Sequence, residues 1–246
     1  MSLLRKIVVI IFICLPAIVA SPQNNFQPGE KAGYLIHYGP LNAGTATAEL
    51  IRSEFRGKTY YHARAEARTT GLADKLFKVI DVYEGYFDSI SLLPVRSVRD
   101  ISEGRYKRHD EVIYDHKNLK ATSILSGEHD IPANIMDMTS VFYYIRKIDF
   151  DTMSPGQVIK IITFFDDELF PFDIRYFGKE QVRVRDKDYN CIKLVPYVEP
   201  GRIFESEDDM TIWLSDDQNH IPICVRFDLI VGAFKCDILN YSGLKY

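Results

Sequence analysis

The stretch Tyr61-His62-Ala63-Arg64-Ala65-Glu66-Ala67-Arg68 decides the fold class. After Tyr61 one side of the alternation is alanine only, and the other is His62, Arg64, Glu66 and Arg68. A period of two this clean marks a β-strand with one dry face and one wet face. The run before it, Thr45-Ala46-Thr47-Ala48-Glu49-Leu50-Ile51, repeats the pattern with Ala46, Ala48 and Leu50 on one side. A turn through Phe55-Arg56-Gly57-Lys58 joins the two as an antiparallel hairpin from about Thr45 to Arg68. The matching dry faces set its register: Ala48 opposite Ala65 and Glu49 opposite Arg64. A slip of one residue would put alanine against charge.

Ala46, Ala48, Ala63, Ala65 and Ala67 then floor a surface with little side-chain volume, and they are the candidate ligand-binding residues. Something bulky must lie close above them. Close packing favours one of the protein's own helices as the occupant. The other occupant is a lipid or similar apolar molecule in a shallow trough.

Working outward, turn signals recur about every ten residues, from Gly39-Pro40 and Gly57-Lys58 to Asp186-Lys187-Asp188 and Gly232. This rhythm predicts a mainly β chain of about a dozen short antiparallel strands. An open sheet of that size curls, splits or closes, so the expected architecture is a strongly curved antiparallel sheet or barrel wrapped around one or two short helices. Met138, Val141, Phe142, Ile145 and Ile148 fall on one helical face, with Asp137 placed as N-cap, and predict a helix over 137–148 with Phe142 and Ile145 buried. Gly71 to Lys78 is a weaker two-turn candidate. Either helix would cover the alanine floor. Val158 to Phe165 is apolar on both sides and predicts a strand covered on both faces.

The first twenty residues predict where the protein works. Arg5 and Lys6 precede the uncharged run Ile7 to Leu15, then Pro16 and Ala17-Ile18-Val19-Ala20. That is the layout of a secretory signal peptide, removed near Ser21. The run is shorter than the roughly 20 apolar residues that span a bilayer, and no transmembrane anchor is expected. Cys14 lacks the small residues that precede a lipidated cysteine, so no lipid anchor is expected either. The expected domains are the signal peptide at 1–20 and one β-rich domain at 21–246. That domain carries 28 basic and 34 acidic residues, a net charge of −6, which offers no general footprint for nucleic acid and no general attraction to anionic lipid. It keeps Cys191, Cys224 and Cys236, an odd count that leaves at least one thiol unpaired in the monomer. All three read best as small apolar fillers. Alternation in the last hairpin pairs Phe227 with Cys236 in its simplest register. Cys224 then lies beside Arg226 and Asp228 on the opposite face, so no Cys224–Cys236 disulfide is expected.

No catalytic or metal motif emerges. The six histidines show no zinc-type spacing and read as solvated or hydrogen-bonded surface groups. There is no Gly-x-Ser-x-Gly elbow and no glycine-rich phosphate loop. The acidic runs Asp166 to Glu168, Glu205 to Asp209 and Asp216-Asp217 would suit calcium by ligand type, but they read better as solvated turns. Asp100 and Glu103 point to opposite faces of a strand, against paired acid–base work. No cofactor is implied.

Several phrases in order resemble a known family. They are Pro28-Gly29-Glu30-Lys31, Tyr34-x-x-His37-Tyr38-Gly39, Ala43-Gly44-x-Ala46, Thr69-Thr70-Gly71, Phe77-Lys78-Val79, Asp81-x-Tyr83-Glu84, Leu93-Pro94-x-Arg96, Arg99-Asp100-x-x-Glu103-Gly104, Gly201-Arg202-Ile203-Phe204, and Trp213 to Asp217 leading to Ile221-Pro222. Together they resemble the DUF-3108 family of exported bacterial proteins, a domain of unknown function. The resemblance implies a mostly β fold and a periplasmic, outer-membrane-associated or extracellular location in a Gram-negative bacterium. It implies no activity and no functional residues. Over the hairpin at Ser215 to Pro222 the chain also resembles periplasmic lipoprotein carriers with curved half-barrels, a fold-level analogy. The leading expectation is therefore a non-enzymatic envelope protein that holds an apolar ligand as a carrier or assembly accessory. The alternative is a protein–protein interaction module with an envelope partner, and an enzyme comes third.

Overall fold

The computed structural model describes residues 24–198, 204–230 and 232–246. The expected signal peptide, Gly201 to Ile203 of the family phrase, and Val231 in the last turn lie outside the described residues. The chain enters the middle of a large antiparallel sheet with β1 (Lys31–Tyr38), β2 (Leu41–Phe55) and β3 (Lys58–Thr69). After the short helix α1 (Gly71–Leu76) it meanders outward. The strands are β4 (Val79–Phe87), β5 (Pro94–Glu103), β6 (Tyr106–Asp115), β7 (Lys120–Ser123) and β8 (Gly127–Asp130). It crosses over through α2 (Met138–Ile145), a 3-10 turn (Phe150–Thr152), β9 (Val158–Ile159) and the hairpin β10 (Ile162–Phe165) and β11 (Glu168–Pro171). It then meanders back through β12 (Ile174–Val184), β13 (Lys187–Pro196), β14 (Met210–Ser215), β15 (Pro222–Leu229) and β16 (Gly232–Ser242).

β16 pairs with β1, so the two meanders join at the centre of one 14-stranded sheet, with β8 and β9 as its open edges. At about 4.8 Å per strand such a sheet would be roughly 60 Å wide if flat. Yet β4 and β12, eight places apart, supply Phe87, Ile174 and Tyr176 to one buried cluster with Val141, Tyr143 and Ile145 of α2. The sheet therefore curls around α2, as expected for its strand number, and stays open.

The hairpin β2–β3 has the expected register, with Ala48 opposite Ala65 and Glu49 opposite Arg64. On the wet face Arg64 bonds Glu66, which also takes Arg68, and the two guanidiniums hold the Glu66 carboxyl below its usual range. His62 departs from expectation. It is buried, stacks on Tyr86 at 4.0 Å, and its Nε2 lies 2.6 Å from Glu84 Oε2. A neighbouring ring and carboxylate on β4 replace its water.

Asp137 caps α2 by accepting from Ser140 N while Ser140 Oγ accepts from Asp137 N, a reciprocal capping box. Burial pushes the Asp137 carboxyl up despite these bonds. The helix lands on Gly85 of β4, where a Cβ would collide with Thr139 Oγ1 and Asp137 Oδ2. It ends at Ile145, with Arg146 as C-cap, rather than at 148. Ile145 is fully buried, but Phe142 is only half-buried. Phe142 is less buried than its helical face predicts because it looks into open space beneath the helix.

Three further readings need correcting. α1 buries none of its residues, so α2 alone of the two helices lies over the alanine floor. Val158 to Phe165 is not one strand. It splits into the exposed edge β9 and the inner strand β10, because β10–β11 leaves the main sheet and joins Met136 through a parallel bridge at Thr163. The last hairpin pairs Cys236 with Val225 and Phe234 with Phe227, two residues away from the simplest register. A shift of two preserves every face, so Cys224 and Cys236 still project to opposite faces and the three thiols are free. Cys224 is buried nonetheless, its Sγ 3.2 Å from Asp237 Oδ1.

Candidate functional site

All five predicted alanines line one cavity of about 320 Å³ between β1–β4, β15–β16 and α2. Its floor is built row by row from the register: Ala32 with Ala48, Ala48 with Ala65, Ala46 with Ala67, and Tyr34 with Ala46. Its other side is Val225 and Phe227 of β15 and Cys236 of β16. Thr139, Phe142, Tyr143 and Arg146 of the α2 segment form the roof. Side chains one methyl long on the floor leave a gap beneath α2 that Phe142 does not fill.

Exposure falls along the cavity. Ala46, Ala48, Ala65 and Ala67 keep part of their solvent access although they lie mid-sheet, while Ala63 is 2% exposed. The deep end is polar. Arg146 and Glu30 form a bidentate pair at 2.5 and 2.8 Å, with side chains 4% and 8% exposed. Arg146 Nε also donates to the Asn219 carbonyl, and its guanidinium sits between the rings of Phe26 and Tyr143. Such a pair holds its geometry because both buried charges are fully hydrogen-bonded. Tyr34 donates to the Pro222 carbonyl. Tyr143 is 7% exposed, lines the cavity, and its hydroxyl has no hydrogen-bond partner among the described residues. The oxygen itself keeps some exposure to the cavity, where a bound group can pair with it.

The deep end was not legible in sequence. Glu30 and Tyr34 come from the start of the sheet and Tyr143 and Arg146 from α2, more than a hundred residues later, and they meet only when the sheet curls around the helix. One signal was available. Arg146 continues the Met138–Phe142 stripe of α2 by one turn, and a charge on an apolar stripe needs a buried partner.

Other candidates resolve into structure. Asp166 pairs with Arg99 and Arg108 at 2.7 and 2.6 Å. Asp209 and Asp217 accept backbone N–H groups in their own turns, and Asp216 pairs with Lys179. Among the described residues no group of three or more His, Cys, Asp or Glu is arranged to hold a metal. Burial pushes the Cys191 and Cys236 thiols up to about 12. No helix among the described residues is long and apolar enough to cross a membrane.

The family model described as "Protein of unknown function (DUF3108)" matches residues 33–238, which include every cavity-lining residue except Glu30 and Ala32. The chain belongs to this family. No curated protein matches the DUF3108 chain. Among solved structures it is similar to the β-barrel-like protein of domain of unknown function DUF1849 from Brucella abortus. The TM-score is 0.60 at 8% identity, over 89% of this chain and 99% of that one. The likeness is one of fold. A DUF1089 family protein from Pseudomonas aeruginosa aligns at TM-score 0.39 and 11% identity over 80% of this chain and 90% of its own, too low to carry an argument.

Proposed function

We propose that this DUF3108 protein is a non-enzymatic carrier in the bacterial envelope that holds one apolar molecule over the alanine floor. The observation that carries the reading is a half-open, alanine-floored cavity in the middle of a sheet whose neighbouring strands bury large side chains on the same face. Its volume falls in the range of about 300–1,000 Å³ usual for small-molecule sites, and apolar cavities of about 150 Å³ already take benzene. The unpartnered Tyr143 hydroxyl favours a ligand with a hydrogen-bonding group near its buried end. Because Arg146 and Glu30 neutralise each other, that group is an uncharged one, such as an ester or amide carbonyl, rather than a free carboxylate. The envelope location rests on the leader-like start at Arg5 to Ala20 and on the exported character the family resemblance implies.

The alternative, a module that recruits proteins along a sheet edge, has less support. β8 is four residues long and carries Glu128 and Asp130, and β9 is two residues long. Short, charged edges discourage strand addition.

Native mass spectrometry of the protein purified from its own envelope tests the carrier reading. The expected result is a bound mass released on denaturation, absent from the cavity-filling variants Ala48→Leu and Ala65→Leu. A ligand-free protein that takes up an apolar fluorescent dye equally well in both variants would sink the proposal.

A further inference from the structure

The sheet has two ends, and its turns are unlike at each. At one end lie the β1–β2 turn, the β3–β4 connection with α1, the β5–β6 turn and the β7–β8 turn. Their tips carry Leu41, Leu72, Leu76, Phe77, Tyr106 and Ile124, all more than half exposed. Leu72 and Leu76 reach 72% and 78%. Turn tips are ordinarily polar, and at the opposite end Arg56-Gly57 and Arg185-Asp186 are, with Ile90, Leu119, Tyr241 and Tyr246 as the exposed large apolar residues among the described ones. So many neighbouring apolar tips mark a contact surface.

Two observations say what that surface meets. The first is charge. Lys75, Lys78 and Arg105 are exposed among the apolar tips and have no carboxylate partner among the described residues, and Lys107 bonds only Ser102. The nearby Asp74 and Asp81 are partly buried and accept from Thr69 Oγ1 and Ser102 N, and with exposed Glu103 they offset part of this charge without pairing with any of the four basic groups. The acidic connection Glu205 to Asp209 sits at the same end beside β14 and β15, so the exposed unpaired basic groups are confined to the N-terminal half of the sheet, among the apolar tips. The second is position. Toward this end the alanine floor passes from buried Ala63 to partly exposed Ala65 and Ala67, and the row beyond, buried Gly44 with partly exposed Thr69, adjoins α1. The floor thus runs from its buried end at Ala63 toward the apolar tips.

We infer that this end of the sheet docks on an anionic lipid surface, with the tips of α1 and the β5–β6 turn entering the interface and Lys75, Lys78, Arg105 and Lys107 meeting lipid head groups. Exposed leucine and aromatic side chains interleaved with unpaired basic ones are the combination that binds an interface. The basic groups supply a term that salt screens. The inference leans on the carrier reading only for the meaning of that direction.

Flotation with vesicles tests it, using protein from the envelope fraction, wild type and variants handled alike, so that anything residues 1–20 contribute is common to all. Wild type should bind vesicles of phosphatidylcholine mixed with phosphatidylglycerol, more weakly in high salt and more weakly on phosphatidylcholine alone. Leu72→Glu with Leu76→Glu should weaken binding about tenfold or more, and neither side chain is packed in the fold, so circular dichroism should be unchanged. Lys75→Glu with Lys78→Glu should remove most of the preference for the anionic vesicles. Ala65→Leu should bind vesicles as wild type does while losing the apolar probe, which separates a failed carrier reading from a failed docking surface. Absence of vesicle binding by wild type would overturn the inference, as would equal binding by the Leu72 and Leu76 variant. Concentration-dependent self-association without vesicles, abolished by that variant, would also overturn it and assign the surface to a second copy of the chain.

Discussion

One face of the sheet is packed in two ways. Over β12–β14, Ile174, Ile192, Leu194, Ile212 and Leu214 are completely buried and meet Tyr176, Phe150 and Phe172. Over β1–β3 and β16 the same face carries Ala32, Ala46, Ala48, Ala65, Ala67 and Cys236, and a cavity of about 320 Å³ remains. Both regions belong to one continuous sheet curled around one helix. The difference lies in side-chain volume, because the backbone scaffold is shared. The dense half supplies the apolar burial that stabilises the fold. The alanine half gives up part of that burial, and natural cores seldom leave such a gap without a use for it.

The comparison breaks most sharply at the joint between the halves. Arg146→Met would leave Glu30 buried without its partner and should cost about 3–5 kcal/mol. Chemical denaturation reads it, and the double variant with Glu30→Gln should recover a large part. A loss below about 1 kcal/mol in the single variant would mean that water replaces the pair. In the dense half, Leu194→Ala should cost about 2–5 kcal/mol, since no neighbour can collapse into the space.

Phe142→Ala sharpens the boundary. A fully buried phenylalanine costs about 3–5 kcal/mol to truncate, and Phe142, half-buried at the cavity roof, should cost about half of that. A full-sized loss would place it in the dense core. Ala65→Leu in the open half should change stability by less than about 1 kcal/mol, against the 1–3 kcal/mol that overpacking costs in a filled core. A larger destabilisation would show that the floor is already covered.

The smallest effect concerns reactivity. Cys236 lines the cavity while Cys191 is fully buried on the other face of the sheet, and burial raises both thiols to about 12. At pH 8 both stay protonated in the folded protein and should alkylate slowly. Cys236 should be the faster, and an apolar ligand in the cavity should slow it toward Cys191. Equal rates with and without ligand would place the ligand elsewhere.

Local chemistry made much of this legible in the sequence. The alternation at Ala63, Ala65 and Ala67 determines the β2–β3 register, because each strand must present its dry residues on one face. The Asp137 and Ser140 spacing determines where α2 begins, because a cap needs only neighbouring backbone. Turn residues determine the strand rhythm for the same reason. Parity alone determined that Cys224 and Cys236 face apart, whichever even slip the hairpin adopts.

Tertiary structure decided the rest. Whether β16 would pair with β1, closing two meanders into one sheet, depends on segments some two hundred residues apart. That pairing brings Cys236, with Val225 and Phe227 beyond it, to the alanines and turns a floor into a cavity. The burial of His62 depended on a carboxylate and a ring arriving from β4. The split of Val158 to Phe165 depended on which partners its two halves met. Sequence periodicity states which side chains share a face. What stands opposite that face, and how much space is left, follows only when distant strands are brought together.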